Sequence, residues 1–153
     1  MIAADRSSTL TGMNDLGLAV FLAVVACVIG GALGGFALAR PQDALTMVGL
    51  KRDEEKAHSL AEARATYGGL FLLSHAGAAS ALGYAPTIGS VMAMTLALCW
   101  AGAALGRGYS MVRDGTATGF NMRATVFELL MAGALALPFW SYASLARNGG
   151  VHV

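Results

Sequence analysis

The chain has 153 residues and a net charge of +1, with 56% hydrophobic residues, 12% charged residues and a mean hydropathy of +0.62. A soluble domain carries about 25% charged residues, because water must wet its whole surface. The low charge indicates that much of this surface faces a lipid bilayer, and the absence of a basic field argues against nucleic acid as a partner.

The first predicted element is a membrane-spanning helix at about residues 16–39. The stretch carries no charge and is long enough to cross roughly 30 Å of hydrocarbon. A cleaved signal peptide is the alternative, because Ala37-Leu38-Ala39 has the small-x-small pattern of a cleavage site. We favour the helix, because the leader contains Asp5, Arg6 and Asp15 rather than a basic cluster and the apolar run is too long.

Three further spans are predicted at about residues 67–84, 87–105 and 124–142. The second span is the least apolar, so we expect neighbouring helices to shield it from lipid. Only Ala85 and Pro86 separate the second span from the third, which predicts a tight turn. Together the spans predict one all-α domain over residues 1–153, an integral membrane four-helix bundle with antiparallel up-down topology.

Basic residues are concentrated in two connecting segments, residues 40–66 and 106–123, which hold eight of the ten Lys and Arg. The positive-inside rule then places both segments in the cytoplasm. We therefore predict a multi-pass protein of the bacterial inner membrane with periplasmic N- and C-termini. Within the first segment, the apolar run at residues 44–50 is too short to span and is expected to lie flat at the membrane surface.

Small residues recur every four positions along the first helix and predict close helix packing. In lipid, helices associate through close packing and polar contacts rather than through apolar burial. We favour packing inside the monomer over a homodimer face. The predicted packing positions are Ala23, Cys27, Gly31 and Gly35 in the first helix and Gly102 and Gly106 in the third.

Polar residues at membrane depth are the candidates for function. Glu128 lies inside the fourth span, where a carboxylate is costly unless it is paired, neutralised or hydrated, and Arg107 is its most plausible partner, with Arg64 and Arg123 as alternatives. The pair is either a structural ion pair or part of a functional site. His75 is either a proton relay or a quinone or haem contact, although we favour a satisfied interior histidine. The candidate ligand-binding or buried polar cluster is Arg64, Tyr67, His75, Arg107, Ser110, Asp114, Arg123 and Glu128.

Four arginines, Arg64, Arg107, Arg113 and Arg123, form a candidate site for a phosphate or a lipid headgroup. Ordinary positive-inside topology explains the same residues, and we favour that interpretation. The sequence contains no nucleophile–base spacing, zinc-ligand cluster or nucleotide-binding motif, so it predicts no catalytic residue and no metal site, and it identifies no cofactor.

Two stretches resemble a family of small bacterial four-helix membrane proteins catalogued as a domain of unknown function. The first is Arg64-Ala65-Thr66-Tyr67-Gly68-Gly69, at the entry to the second span, and the second is Gly106-Arg107-Gly108-Tyr109-Ser110 with Asp114-Gly115, followed by Glu128. Leu60-Ala61-Glu62 replaces that family's Arg-Ala-Glu lead-in, so one basic residue is absent. The resemblance implies a four-helix bundle and carries no activity with it.

These observations predict a non-enzymatic accessory or scaffolding component of a membrane complex, with other membrane protein subunits as partners. The alternative is a carrier or binding protein for a lipid, a quinone or another small amphiphile, held in a polar pocket at the cytoplasmic side. A membrane enzyme is the third hypothesis and the one we favour least.

Overall fold

The computed structural model describes residues 2–50 and 59–147, with the side chains of the first helix described from residue 12 onward. Residues 51–58 of the first predicted basic segment lie outside the described residues. The described chain is all-α. Its elements are α1 (Ile2–Ala39), α2 (Pro41–Met47), α3 (Ser59–Glu62), a π-helix (Ala63–Leu70), α4 (Phe71–Tyr84), α5 (Pro86–Arg113) and α6 (Gly119–Arg147).

Among the described residues, three helices are long and apolar enough to cross a membrane: Gly12–Ala39 within α1, and the whole of α5 and of α6. The chain therefore has the helices of a membrane protein. The predicted second span, residues 67–84, falls on the π-helix and on α4, which has 14 residues. Because the helix type changes at residue 71, this stretch is not one of the three long helices, and the four-helix arrangement stays a prediction.

Two helix ends are set by proline. Arg40 precedes Pro41 and Ala85 precedes Pro86, and both residues leave the helical region, with φ of −129° and −142°. A proline ring disfavours the helical conformation of the residue before it, and proline is well accommodated at the first position of the next helix. Chain breaks after α1 and after α4 follow directly from these two prolines.

The helices α5 and α6 extend beyond the predicted spans, so residues 106–113 and 119–123 are helical rather than part of a loop. Nothing between residues 106 and 113 breaks a helix, since glycine is well tolerated in membrane helices. The helix α5 ends before Gly115, which has a φ of +67°. The Thr118 hydroxyl accepts a hydrogen bond from the Asn121 N–H at 3.2 Å and caps the start of α6.

Each long helix packs against two others. The helix α1 packs against α4 and α6, and α5 packs against the same two helices. The π-helix packs mainly against α1. The shared core is built from small residues and a few large ones: Ala23, Ala26, Cys27, Ala78, Leu82, Ala93, Ala97, Trp100, Met131 and Leu135.

Glycines bring α1 close to the π-helix and to α4. A Cβ at Gly34 would clash with the backbone nitrogen of Leu72, and one at Gly68 would lie 2.9 Å from the Cα of Leu38. A Cβ at Gly30 would overlap the ring of His75. Such close approach of backbones is the usual means of helix association in lipid. The small residues of α1 therefore face the inside of the monomer.

We expect Gly34→Ala to destabilise the protein by about 1–3 kcal/mol, because the new methyl group meets rigid backbone rather than a movable side chain. Reversible unfolding by SDS from a mild detergent measures the difference. The matched control is Gly17→Ala in the same helix, where a Cβ meets no atom within 4 Å. The control should be neutral or stabilising by up to ~1 kcal/mol through helix propensity. Equal effects of the two substitutions would contradict the close approach.

Candidate functional site

A buried ion pair joins α5 to α6. Glu128 lies on the core face of α6 and is 5% exposed. The Nη2 atom of Arg107 donates to Oε1 of Glu128 at 2.8 Å, and the Nε atom of Arg107 lies 3.1 Å and 3.2 Å from the two carboxylate oxygens. This two-pronged geometry is the strongest arrangement for an arginine and a carboxylate. The sequence predicted Arg107 as the partner of Glu128, because an unpaired charge at this depth is costly. The structure pairs these two residues.

The same guanidinium also fixes the connection between α5 and α6. The Nη1 atom of Arg107 donates to Oδ1 of Asn121 at 3.1 Å, and Nδ2 of Asn121 donates to the carbonyl oxygen of Thr116 at 2.7 Å. The hydroxyls of Ser110 and Thr116 lie 3.1 Å apart. We call Arg107, Glu128, Asn121, Thr116 and Ser110 the Arg107 network. It ties the ends of two helices to the loop between them.

The sequence predictions omitted Asn121 and Thr116 from this network. Asn121 precedes Glu128 by seven residues, so both side chains lie on one face of α6. The seven-residue spacing could have identified Asn121 from the sequence, because its amide lies on the same face of α6 as the carboxylate that binds the arginine. The role of Thr116 depends on its backbone carbonyl, so no sequence pattern identifies it.

His75 lies in the core at 2% exposure, and both of its ring nitrogens are engaged. The Nδ1 atom lies 2.8 Å from the carbonyl oxygen of Phe71, which can only accept. The indole N–H of Trp100 donates to Nε2 at 3.1 Å. The neutral ring with its proton on Nδ1 satisfies both contacts, which fixes the tautomer. A histidine bound in this way has no free nitrogen for a metal or a haem.

An aromatic chain connects this histidine to the last helix. The ring of Phe71 packs edge-to-face on Trp100, with centroids 5.6 Å apart, and Trp100 packs in the same way on Phe127, also at 5.6 Å. Edge-to-face packing of this kind stabilises beyond the burial of apolar area. Trp100 therefore holds three helices together, and the sequence predictions omitted it.

Among the described residues, no side chain of the remaining predicted site residues joins the Arg107 network, and Asp114 contacts it only through its backbone N–H, which donates to the carbonyl oxygen of Ser110 at 2.9 Å. The Nε atom of Arg64 donates to the carbonyl oxygen of Leu38 at 3.2 Å, which caps the last turn of α1. Tyr67 is 44% exposed, and Asp114 and Arg123 are exposed as well. Neither Arg113 nor Arg123 has an ion-pair partner within residues 59–147. The four-arginine anion site and the full ligand-binding cluster stay predictions.

The predicted packing positions divide into two groups. Ala23, Cys27 and Gly31 are buried and Gly35 is partly buried, all on the inner side of α1. Gly102 and Gly106 are exposed on α5, and a Cβ at either would meet no atom within 4 Å. These two glycines therefore take no part in packing inside the monomer, because the core face of α5 is the one that carries Ala97, Trp100 and Ala104.

In the part of the chain that the structure describes, no three His, Cys, Asp or Glu residues are grouped as a metal site would require. The described chain is thus an all-α protein with three helices long and apolar enough to cross a membrane, and its interior holds an ion pair and a hydrogen-bonded histidine.

Residues 17–139 match the family described as Domain of unknown function (DUF4345), so the chain belongs to that family. No curated protein and no solved structure matches the chain.

We expect Arg107→Met to destabilise the protein by about 3 kcal/mol, because it leaves the carboxylate of Glu128, which is 5% exposed, without a counter-charge. Glu128→Leu should cost less, because the Arg107 side chain that it leaves unpaired is 27% exposed. The double variant should cost less than the sum of the two, with a coupling of roughly 0.5–3 kcal/mol in a double-mutant cycle. SDS unfolding in mild detergent gives all three values. Additive effects would show that the pair is not energetically coupled.

We expect Trp100→Phe to destabilise by about 1–3 kcal/mol, because Nε2 of His75 then stays buried without a donor. The control is Trp140→Phe, at a side chain 57% exposed, which should change stability by less than about 0.5 kcal/mol. The double variant Trp100→Phe with His75→Leu should recover part of the loss, since both hydrogen-bonding groups are then absent. The same SDS titration measures these variants. If Trp100→Phe costs no more than the control, the hydrogen bond does not stabilise the core.

Proposed function

We propose that this protein is a four-helix integral membrane protein of the bacterial inner membrane that acts as an accessory or scaffolding component of a membrane complex. One observation carries the proposal. Among the described residues, every buried side-chain nitrogen and oxygen has a hydrogen-bond partner, so the interior polar groups are engaged with one another. Such an interior stabilises and orients helices, whereas a reaction centre needs groups that are free to meet a substrate.

The fourth crossing rests on the helical run from Ser59 through Tyr84. This run contains α3, the π-helix and α4 without a break, and it packs against α1 and α5. A π-helix keeps its backbone hydrogen bonds inside the segment, as the hydrocarbon region demands. The single residue Ala85 connects α4 to α5, and such short connections favour antiparallel neighbours. These features support an up-down bundle.

The orientation rests on charge. We use the term basic end for the end of the helices where Ala39, Ala63, Arg113 and Gly119 lie. The two connecting segments at this end carry most of the basic residues of the chain. The positive-inside rule favours a cytoplasmic basic end, with both termini in the periplasm.

The geometry supports the accessory role better than the carrier. The two arginines proposed to hold an amphiphile's headgroup are engaged elsewhere: Arg107 binds Glu128 and Asn121, and Arg64 binds the end of α1. The side chain of Arg107 is 27% exposed and could be reached by a headgroup, but its charge is already neutralised by the carboxylate of Glu128. A carrier would have to break these contacts to bind a headgroup.

The test is whether the protein is part of a larger assembly when it is extracted from its native membrane. We expect polymer-nanodisc extraction, followed by native electrophoresis, to recover the protein in an assembly with other membrane proteins. If the exposed glycines of α5 face a partner, Gly102→Leu should dissociate the assembly. The matched control is Gly133→Leu, at an exposed glycine of α6 where a Cβ also meets no atom within 4 Å. Recovery of the wild type as an isolated monomer would refute the accessory role.

A further inference from the structure

We infer that the side chains of Met47, Val48 and Leu50, at the end of α2, insert into the bilayer at the boundary between headgroups and acyl chains. We call these three side chains the apolar knob. The inference rests on the chain spanning a bilayer, and it is independent of the accessory role.

The apolar knob is exposed although its helix is folded against the protein. Met47 is 56% exposed, Val48 46% and Leu50 47%, whereas Leu45 of the same helix is only 9% exposed. Pro41 is also buried, and α2 packs against α1 and the π-helix. The helix α2 thus directs one apolar face to the protein and a second apolar group outward. In water, three adjacent exposed apolar side chains of this size would be unfavourable.

The backbone holds the apolar knob in a defined shape. Gly49 adopts a φ of +78°, its N–H donates to the carbonyl oxygen of Thr46 at 3.0 Å, and the N–H of Leu50 donates to that of Leu45 at 2.8 Å. This pair of hydrogen bonds around a left-handed glycine is the Schellman motif, which commonly brings the residue after the glycine onto the last turn of the helix. Val48, Gly49 and Leu50 therefore form a fixed turn.

The connection to α1 sets the depth of the apolar knob. The apolar span of α1 ends at Ala39, and Arg40 alone separates it from α2. The last large exposed apolar side chain of α1 is Leu38, at 41% exposure. Since α2 also packs on α1, the apolar knob lies beside the level where α1 leaves the hydrocarbon. It continues the apolar surface of α1 into the headgroup region.

Position identifies the occupant as a lipid surface rather than a protein, because the apolar knob continues the exposed apolar surface of a helix that is long and apolar enough to cross a membrane. Arg40 precedes α2, and Lys51 and Arg52 follow Leu50 directly in the sequence. Acidic residues balance these charges, since Asp43 lies in α2 and Asp53, Glu54 and Glu55 follow Arg52 in the sequence. Polar and charged residues beside an apolar group are accommodated at the boundary between headgroups and acyl chains. The partner that fits is therefore a phospholipid bilayer.

A single-cysteine labelling experiment tests the inference on the full chain. The background is Cys99→Ser, which removes the exposed thiol and leaves Cys27, at 1% exposure, too buried to label. Met47→Cys and Leu50→Cys are labelled with an environment-sensitive fluorophore in nanodiscs of phosphatidylcholine and phosphatidylglycerol. The matched control is Gln42→Cys, an exposed polar position on the same helix. The background without an added cysteine reports residual labelling, and gel filtration reports folding.

We expect the labels at 47 and 50 to emit at shorter wavelength than the label at 42. We also expect iodide to quench them several-fold less, and a phospholipid spin-labelled near its headgroup to quench them several-fold more. Equal iodide quenching at 42, 47 and 50 would overturn the inference, because the apolar knob would then lie in water. Shielding of 47 and 50 from both iodide and the spin-labelled lipid would also overturn it, because a protein surface would then cover them.

Discussion

The approach of α1 to the helical run behind it is the contact on which the rest of the structure depends. Glycines at positions 30, 34 and 68 allow it, because a Cβ at any of them would meet the opposing chain. The space left at Gly30 is filled by the ring of His75, which is thereby held in place to accept the hydrogen bond of Trp100. Contacts of α1 with the π-helix and with α4 thus help to position α5. In lipid this order is reasonable, because apolar burial alone gives helices little preference for one neighbour over another.

The sequence predicted helix ends well where proline enforces them and poorly elsewhere. The predicted ends at residues 39 and 84 coincide with helix ends, because Pro41 and Pro86 lie two residues beyond each. The helices α5 and α6 continue several residues beyond the predicted span ends at 105 and 124, because hydropathy reports where lipid ends and not where the helix ends. The π-helix was not predicted at all. Its hydrogen-bond pattern differs from that of an α-helix by one residue, and neither propensity nor periodicity distinguishes the two.

The candidate site was predictable where an energetic cost pointed to a partner. A carboxylate at the depth of Glu128 requires a counter-charge, and few arginines lie within reach, so sequence reasoning identified Arg107. Trp100 and Asn121 carry no such cost and were missed, although each lies seven residues from a member of the ion pair along its helix. The predicted anion site grouped Arg64, Arg113 and Arg123 with Arg107 because all four are basic, whereas these three lie on the π-helix, α5 and α6. Charge alone predicts that a residue lies near the membrane surface, but the packing of the helices determines which groups it contacts.

The stretch at residues 64–69, at the entry to the predicted second span, has a structural role. These residues lie within the π-helix, and two of them touch the same residue of α1. Arg64 donates to the carbonyl oxygen of Leu38, and Gly68 lies against the backbone of Leu38. A side chain at position 68 would separate the two segments, and loss of the guanidinium would leave a carbonyl of α1 without that donor. Arg64 and Gly68 therefore join the end of α1 to the π-helix, so a packing contact explains both residues in this chain.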